Sequence, residues 1–523
     1  MKDVVMANDN ELPNKEYGNV ATSNEAVVDA RAPQMLERYI NLPAIVNFTF
    51  IVLCSWEAFA VTFQFALYNG GPSSMIYGCI LVGFGASFVA CSLAELSSMD
   101  PSVGAQYRWS ARFAPFAPRF FGLLQGWITI FAWIIAAAGP PAIISNIITS
   151  LAIFNYDGYS PKGWHTTLIM WGLIIVPFVF NLYFKQLLNV LETVGGIFHV
   201  LFFLVSIIVL AALARRSTND YVWNTLTNDQ SGWENKGVAW GLGLLTISFS
   251  VLGFDGALHM SDEVKKVETR VPRSMIIAAV SNSIMLFAFV LTVLYCIGDV
   301  TKVMSTPTAL PLIEVFYEAT GSKSATNFLV VMPALVLFGA LFNAFASVSR
   351  LIWVFAKDQG LPFSRHFAYL HPTLRLPVNA LILVGVISFL LSLIYIGSST
   401  AFNAIISLQA LGLAVSYVLP ILFILIRKLG HGARPEYGPF SLGKWGIPCN
   451  ILSLCYLFYI ITWMPFPQFL PVTAQNMNYA GPLLGLVIVG SMLHYAISGR
   501  KHFQVPVARQ YLREVDGRKD VVA

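Results

Sequence analysis

Two short stretches decide how this chain reads: Ser55-Trp56-Glu57-Ala58 and, 198 positions later, Gly253-Phe254-Asp255-Gly256. Each runs small, aromatic, acidic, small, and each lies inside a long apolar stretch. A carboxylate at the centre of a membrane helix costs about 2.5–3.5 kcal/mol on insertion scales, so such residues mark function by default. Two in matching positions point to a repeat whose halves share one site.

The composition sets the surroundings. Hydrophobic residues make up 56% of the 523 and charged residues only 11%, against roughly 25% charge in soluble domains. That excludes an ordinary soluble enzyme and reads as a polytopic membrane protein. The first 41 residues are polar, with four Lys/Arg against seven Asp/Glu, and read as a disordered cytoplasmic tail without a cleavable signal peptide. Cys54, Cys79, Cys91, Cys296, Cys449 and Cys455 lie in or beside apolar stretches and read as buried packing residues. No metal cluster or cofactor motif is present, and the net charge of +5 reflects topology rather than nucleic-acid binding.

Runs of about 20 apolar residues, the length that crosses a bilayer, fit twelve times: 42–69, 73–97, 120–152, 165–184, 187–212, 238–259, 274–298, 327–355, 377–396, 401–426, 446–466 and 480–498. With the N-terminus inside, the inner loops and the inner end of span 8 carry 16 Lys/Arg and the outer loops 6, so the positive-inside bias puts both termini in the cytoplasm. Spans 1 and 6 are five apart and run in opposite directions. The chain thus divides into a transporter core at 42–428, with inverted repeats at 42–212 and 238–428, spans 11 and 12 within 429–499, and a cytoplasmic tail at 500–523. Two parallel six-span halves would instead make span 7 the counterpart of span 1, but 274–298 contains no acid.

At 1.5 Å per residue, Glu57 lies about 22 Å from Leu42 and about 20 Å from Gly70, in mid-membrane. Asp255 is less central, with Asp262 seven residues on. Both can serve a cationic amine or a coupling proton. The competing readings are a carboxylate bonded to a neighbouring helix for Glu57 and a cap on the following helix for Asp255. Trp56 and Phe254 suit a cation–π wall, as does Trp133 in span 3, although aromatics in such spans also simply pack. His199, in Gly196-Ile197-Phe198-His199-Val200, is a candidate proton relay or a packing histidine. Glu95 is read as pairing with Arg108 or Arg112.

Several segments resemble one family. They include Asn69-Gly70-Gly71-Pro72, Ala94-Glu95-Leu96-Ser97-Ser98 with Gly104-Ala105-Gln106-Tyr107, and Gly253 to Met260. Farther on come Ala356-Lys357-Asp358-Gln359-Gly360-Leu361-Pro362, Ser398 to Phe402, Gly438 to Lys444, and Phe469-Leu470-Pro471-Val472-Thr473 with Asn476 to Tyr479. Their order and spacing resemble the fungal amino acid/choline transporters of the amino acid–polyamine–organocation superfamily. The resemblance implies an all-α polytopic fold of 12 transmembrane helices, with a 5+5 inverted repeat and broken helices 1 and 6. It also implies proton-coupled uptake of an amine such as an amino acid, GABA or choline across the plasma membrane, without a cofactor. On that resemblance Ser55 to Ala58 and Gly253 to Gly256 are the unwound, substrate-binding segments. Glu57 departs from the pattern, because choline permeases carry an uncharged residue there. A rival reading is a nutrient receptor of the same fold. A membrane enzyme lacks support: there is no Gly-x-Ser-x-Gly elbow, His-Glu-x-x-His pair or phosphate loop.

Overall fold

The computed structural model describes residues 38–184, 187–397, 401–430, 435–474 and 476–504. The tail before Arg38, the Ser398-Ser399-Thr400 part of one family segment, and the tail after Gln504 lie outside the described residues. Twelve helices are long and apolar enough to cross a membrane: Leu42–Thr62, Gly71–Met99, Pro118–Asn155, Gly163–Tyr183, Leu188–Leu213, Lys236–Glu263, Val267–Tyr295, Lys323–Lys357, Val378–Ile396, Ser407–Leu429, Gly443–Trp463 and Ala480–His502. They are spans 1 to 12. Ends extend past the apolar runs where charged turns stay helical, as with Glu268 and Arg270 at the start of span 7.

Backbone groups in a bilayer must bond within the protein, which leaves helices as the economical solution here. Spans 1, 3 and 6 form the centre, with 78%, 89% and 83% of their apolar windows buried, whereas spans 5 and 12 are 28% and 17% buried and face outward. Span 2 packs on span 7, span 3 on span 8, and span 4 on span 9. In these three pairs the partner lies five places on. Span 11 packs on spans 2 and 10, outside that pairing.

Spans 1 and 6 are both interrupted. Span 1 consists of 1a, Leu42–Leu53, and 1b, Ser55–Thr62, separated by Cys54 in the left-handed conformation (φ 42°, ψ 46°). Span 6 consists of 6a, Lys236–Phe249, a non-helical stretch at 250–253, and 6b, a 3-10 helix over Phe254–Glu263. Gly253 supplies the turn there with φ +113°, a conformation open to glycine and costly for other residues.

Buried ion pairs tie the ends of the spans together. Arg350 of span 8 pairs with Glu263 at the end of 6b. Glu95 does not pair with Arg108 or Arg112: it bonds Lys428 of span 10 and the Leu442 N–H, while Arg108 reaches Asp100 at 3.1 Å. Five residues separate Glu95 from Asp100, placing them about 140° apart around the helix, so only one can face the short helix Ala105–Phe113. In that helix, burial and then the neighbouring Asp358 carboxylate hold the Tyr107 phenol well above its ordinary range. It therefore keeps its proton and donates to Asp358 Oδ2 at 2.7 Å. Of the cysteines, Cys455 is exposed and Cys91 only half-buried, rather than buried as expected.

Candidate functional site

The first acidic motif opens helix 1b. Ala58 N–H donates to the Cys54 carbonyl at 2.8 Å, closing the first helical turn, so Ser55–Ala58 is helical and the break falls one residue earlier. This corrects the expectation that Ser55–Ala58 is unwound: one residue with positive φ suffices to break the helix, and no glycine marks it. Glu57 lies in that first turn, where the helix dipole favours an acid.

Around this turn the contacts come from spans 5 and 7. Ser55 Oγ donates to Asn282 Oδ1 at 2.7 Å. Trp56 Nε1 donates to the His199 carbonyl at 3.2 Å. Glu57 Oε1 and His199 Nδ1 stand 2.6 Å apart and share one proton in a hydrogen bond; both side chains are 0% exposed. Glu57 Oε2 and His199 Nε2 have no hydrogen-bond partner among the described residues. The ring of Trp56 packs on Phe289 at 5.1 Å between centroids and on Phe203 at 6.4 Å.

The second motif begins in the span 6 break and continues into 6b, so only Gly253 of its four residues is outside the helix. Asp255, also wholly buried, receives three donors. Tyr417 Oη–H of span 10 donates to Oδ1 at 2.5 Å. Gln106 Nε2 of the short helix donates to Oδ2 at 2.6 Å, and Trp133 Nε1 of span 3 to the same oxygen at 3.0 Å. His259 Nδ1 donates to the Val103 carbonyl, leaving Nε2 3.7 Å from Asp255 Oδ2. Asp255 therefore caps no following helix; it draws spans 3, 6 and 10 together. Phe254 stacks on Tyr417 with centroids 5.5 Å apart.

Small residues make this possible. A Cβ on Gly256 would stand 2.8 Å from the Trp133 ring and 3.2 Å from Val52 of span 1a. The absence of that carbon lets the indole and span 1a close on the break of span 6. Trp133, offered by the sequence as an aromatic wall, is thus both a ring against the motif and a donor to its acid.

The two acids occupy separate networks. No hydrogen bond or ion pair joins Glu57 to Asp255 among the described residues. Glu57 is hydrogen-bonded to an imidazole; Asp255 is hydrogen-bonded to an amide, an indole and a phenol, with the His259 imidazole 3.7 Å away. Sequence reading missed Gln106 and Tyr417. The first stood within a quoted family segment, and the second was one of two adjacent hydroxyls in the run Ala414-Val415-Ser416-Tyr417-Val418.

Twelve spans, two of them broken next to buried acids, define a multi-pass membrane transporter rather than an enzyme. A model of the amino acid permease family matches residues 45–490, and the chain belongs to that family. It is 30% identical over 438 residues to a protein of Macrophomina phaseolina named as an amino acid/polyamine transporter, covering 83% of this chain and 96% of that one. It is also 30% identical to the choline transporter of Saccharomyces cerevisiae over 487 residues, 92% of this chain and 85% of the relative. To an amino-acid permease of Arabidopsis thaliana it is 25% identical over 493 residues, 91% and 94%.

Proposed function

We propose that the protein is a proton-coupled importer of a small amine-bearing solute, working by alternating access in the plasma membrane with both termini in the cytoplasm. The observation that carries this reading is the chemical division between its two buried acids. Asp255 is fixed by three donors, two of them the Tyr417 hydroxyl and the Trp133 indole N–H, and Phe254 stacks on the Tyr417 ring. A carboxylate framed by rings recognises a substituted ammonium through charge and cation–π attraction. Glu57 shares its hydrogen bond with His199, whose imidazole can both donate and accept a proton. Such a pair suits a proton.

On this reading Gly253, Phe254, Asp255 and Gly256 bind the ammonium end of the solute, with Trp133 as a wall. Ser55, Trp56 and Ala58 hold helix 1b where Glu57 meets His199. The core is residues 42–428, and its repeats at 42–212 and 238–428 move against each other. Relatives named for choline, for amino acids and for amino acids or polyamines favour solutes with an amino or quaternary ammonium group. The test is uptake of labelled choline, GABA, basic amino acids and polyamines in cells lacking their own amine permeases, at several external pH values. Accumulation of at least one solute, stronger at acid pH, is expected. No accumulation of any of them, with the protein confirmed at the surface, would transfer the fold to a receptor role.

A further inference from the structure

Span 12 lies outside the repeats and is only 17% buried along its apolar window, yet its last residues turn inward. A π-helical turn at Tyr495–Gly499, a form frequent at functional sites, precedes the end of the helix. The chain then extends at Phe503 (φ −62°, ψ 121°). Lys501, His502 and Gln504 are exposed, while Phe503 among them is 1% exposed. Contacts with span 3 hold this end in place. Trp127 Nε1 donates to His494 Nδ1 at 3.1 Å, and Phe120 packs edge-on against Tyr495. A Cβ on Gly499 would stand 2.4 Å from Leu123, so the two helices touch there. Beyond Phe503, the Gln504 N–H donates to the Asp358 carbonyl just past span 8, at 2.9 Å.

Glycines shape the slot that receives Phe503. Its ring meets Tyr107 of the short helix at 6.4 Å and Phe355 of span 8 at 5.8 Å between centroids. A Cβ on Gly122 of span 3 would stand 3.2 Å from that ring, and one on Gly104 would stand 2.6 Å from the Tyr107 ring. Tyr107 is therefore clamped by Gly104, Phe355 and Phe503, with its hydroxyl on Asp358. The residue before it faces the site. Gln106 donates to Asp255 Oδ2 at 2.6 Å, the only hydrogen bond of its side chain among the described residues. Ala105, one position earlier, sits at φ +25°, a strained conformation for a residue with a Cβ. Such strain persists only where the surroundings enforce it, and the clamp on Tyr107 stands two residues away.

We propose that Phe503 is a positioning residue for the solute site, acting from the end of span 12 through Tyr107 and Gln106 on Asp255. Seated in its slot, the ring keeps the Ala105–Phe113 helix where Gln106 bonds Asp255, and 6b stays closed against that helix. When the ring leaves, the strained start of the helix relaxes, Gln106 lets go of the carboxylate, and 6b can part from it to release solute on the side of both termini. The inference rests on the reading of Asp255 as the solute's acid and adds the element that controls its hold. It also gives span 12, which the inverted repeats leave out, a part in the transport cycle.

The test uses full-length protein in liposomes with labelled choline, GABA, lysine and putrescine as probes, measuring KM and maximal rate of solute exchange at equal pH. Phe503→Ala is expected to raise KM about tenfold while the maximal rate holds or rises. Phe503→Leu, which refills part of the slot, should show a smaller rise of about threefold, and it decides the matter if Phe503→Ala fails to fold. Action through Gln106 predicts non-additivity: on a Gln106→Ala background, Phe503→Ala should change KM by less than about twofold. A parent-like KM in Phe503→Ala, or in Phe503→Leu where that variant decides, overturns the role, and so does a fall in maximal rate alone. A KM factor repeated in full on the Gln106→Ala background overturns it too; where Gln106→Ala leaves no exchange to measure, the single variant decides. A parent that exchanges none of the four solutes overturns the reading of the site instead, and the positioning role with it.

Discussion

Spans 1 and 6 both break just before their acids and yet differ in almost every other respect. The break in span 1 is a single residue, Cys54, and helix 1b resumes at once; span 6 loses four residues and resumes as a 3-10 helix. Glu57 is hydrogen-bonded to one partner, an imidazole at 2.6 Å, while Asp255 is hydrogen-bonded to three that are not acids or bases at ordinary pH and has the His259 imidazole only at 3.7 Å. A repeat therefore supplies two equivalent positions, and the spans packed around them make the positions chemically unlike. Span 5 brings an imidazole to the first; spans 3 and 10 and the short helix bring donors to the second.

The largest effect should come from the better-anchored acid. Asp255→Asn sets an amide N–H2 against Gln106, Trp133 or Tyr417 and removes the charge. Hydrogen bonds to charged groups contribute about 1.5–3 kcal/mol each, so uptake efficiency should fall on the order of 100-fold. Initial rates across solute concentration measure this, and near-parent kinetics would erase the contrast between the two acids. Gly256→Ala comes next. Its new carbon would lie 2.8 Å from the Trp133 ring, and overpacking of that kind costs about 1–3 kcal/mol. A raised KM is expected, whereas Ala58→Gly in span 1 should leave KM close to the parent's. Tyr417→Phe keeps the ring on Phe254 and deletes one donor, for a loss of about tenfold. Smallest is Cys54→Gly. A left-handed non-glycine residue carries about 1–2 kcal/mol of strain, offset by the greater freedom of glycine in the unfolded chain. Thermal unfolding in detergent should show a shift of a few degrees at most, upward if strain outweighs chain entropy.

Much of this was legible in advance. Twelve apolar runs gave twelve spans because the bilayer tests length and hydropathy directly, and Glu57 and Asp255 stood out because buried charge is expensive. The partners were hidden for reasons of distance. His199 is 142 residues from Glu57 and Tyr417 is 162 from Asp255; only tertiary packing brings them together. Glu95 shows the opposite hazard. Arg108 and Arg112 were near in sequence, but helix rotation points Glu95 toward Lys428, 333 residues away. The Cys54 break gave no signal because neither glycine nor proline marks it. Gln106 and Tyr417 were visible as polar residues, but nothing local shows that their donors converge on one carboxylate.

The division of labour between the acids is tested most directly by uptake at graded external pH for Glu57→Gln beside Asp255→Asn. Glu57→Gln should lose the rise of uptake toward acid pH, with KM disturbed far less than in Asp255→Asn. Asp255→Asn should keep the shape of the pH profile on whatever uptake remains. A Glu57→Gln protein with the parent's pH profile would contradict the account.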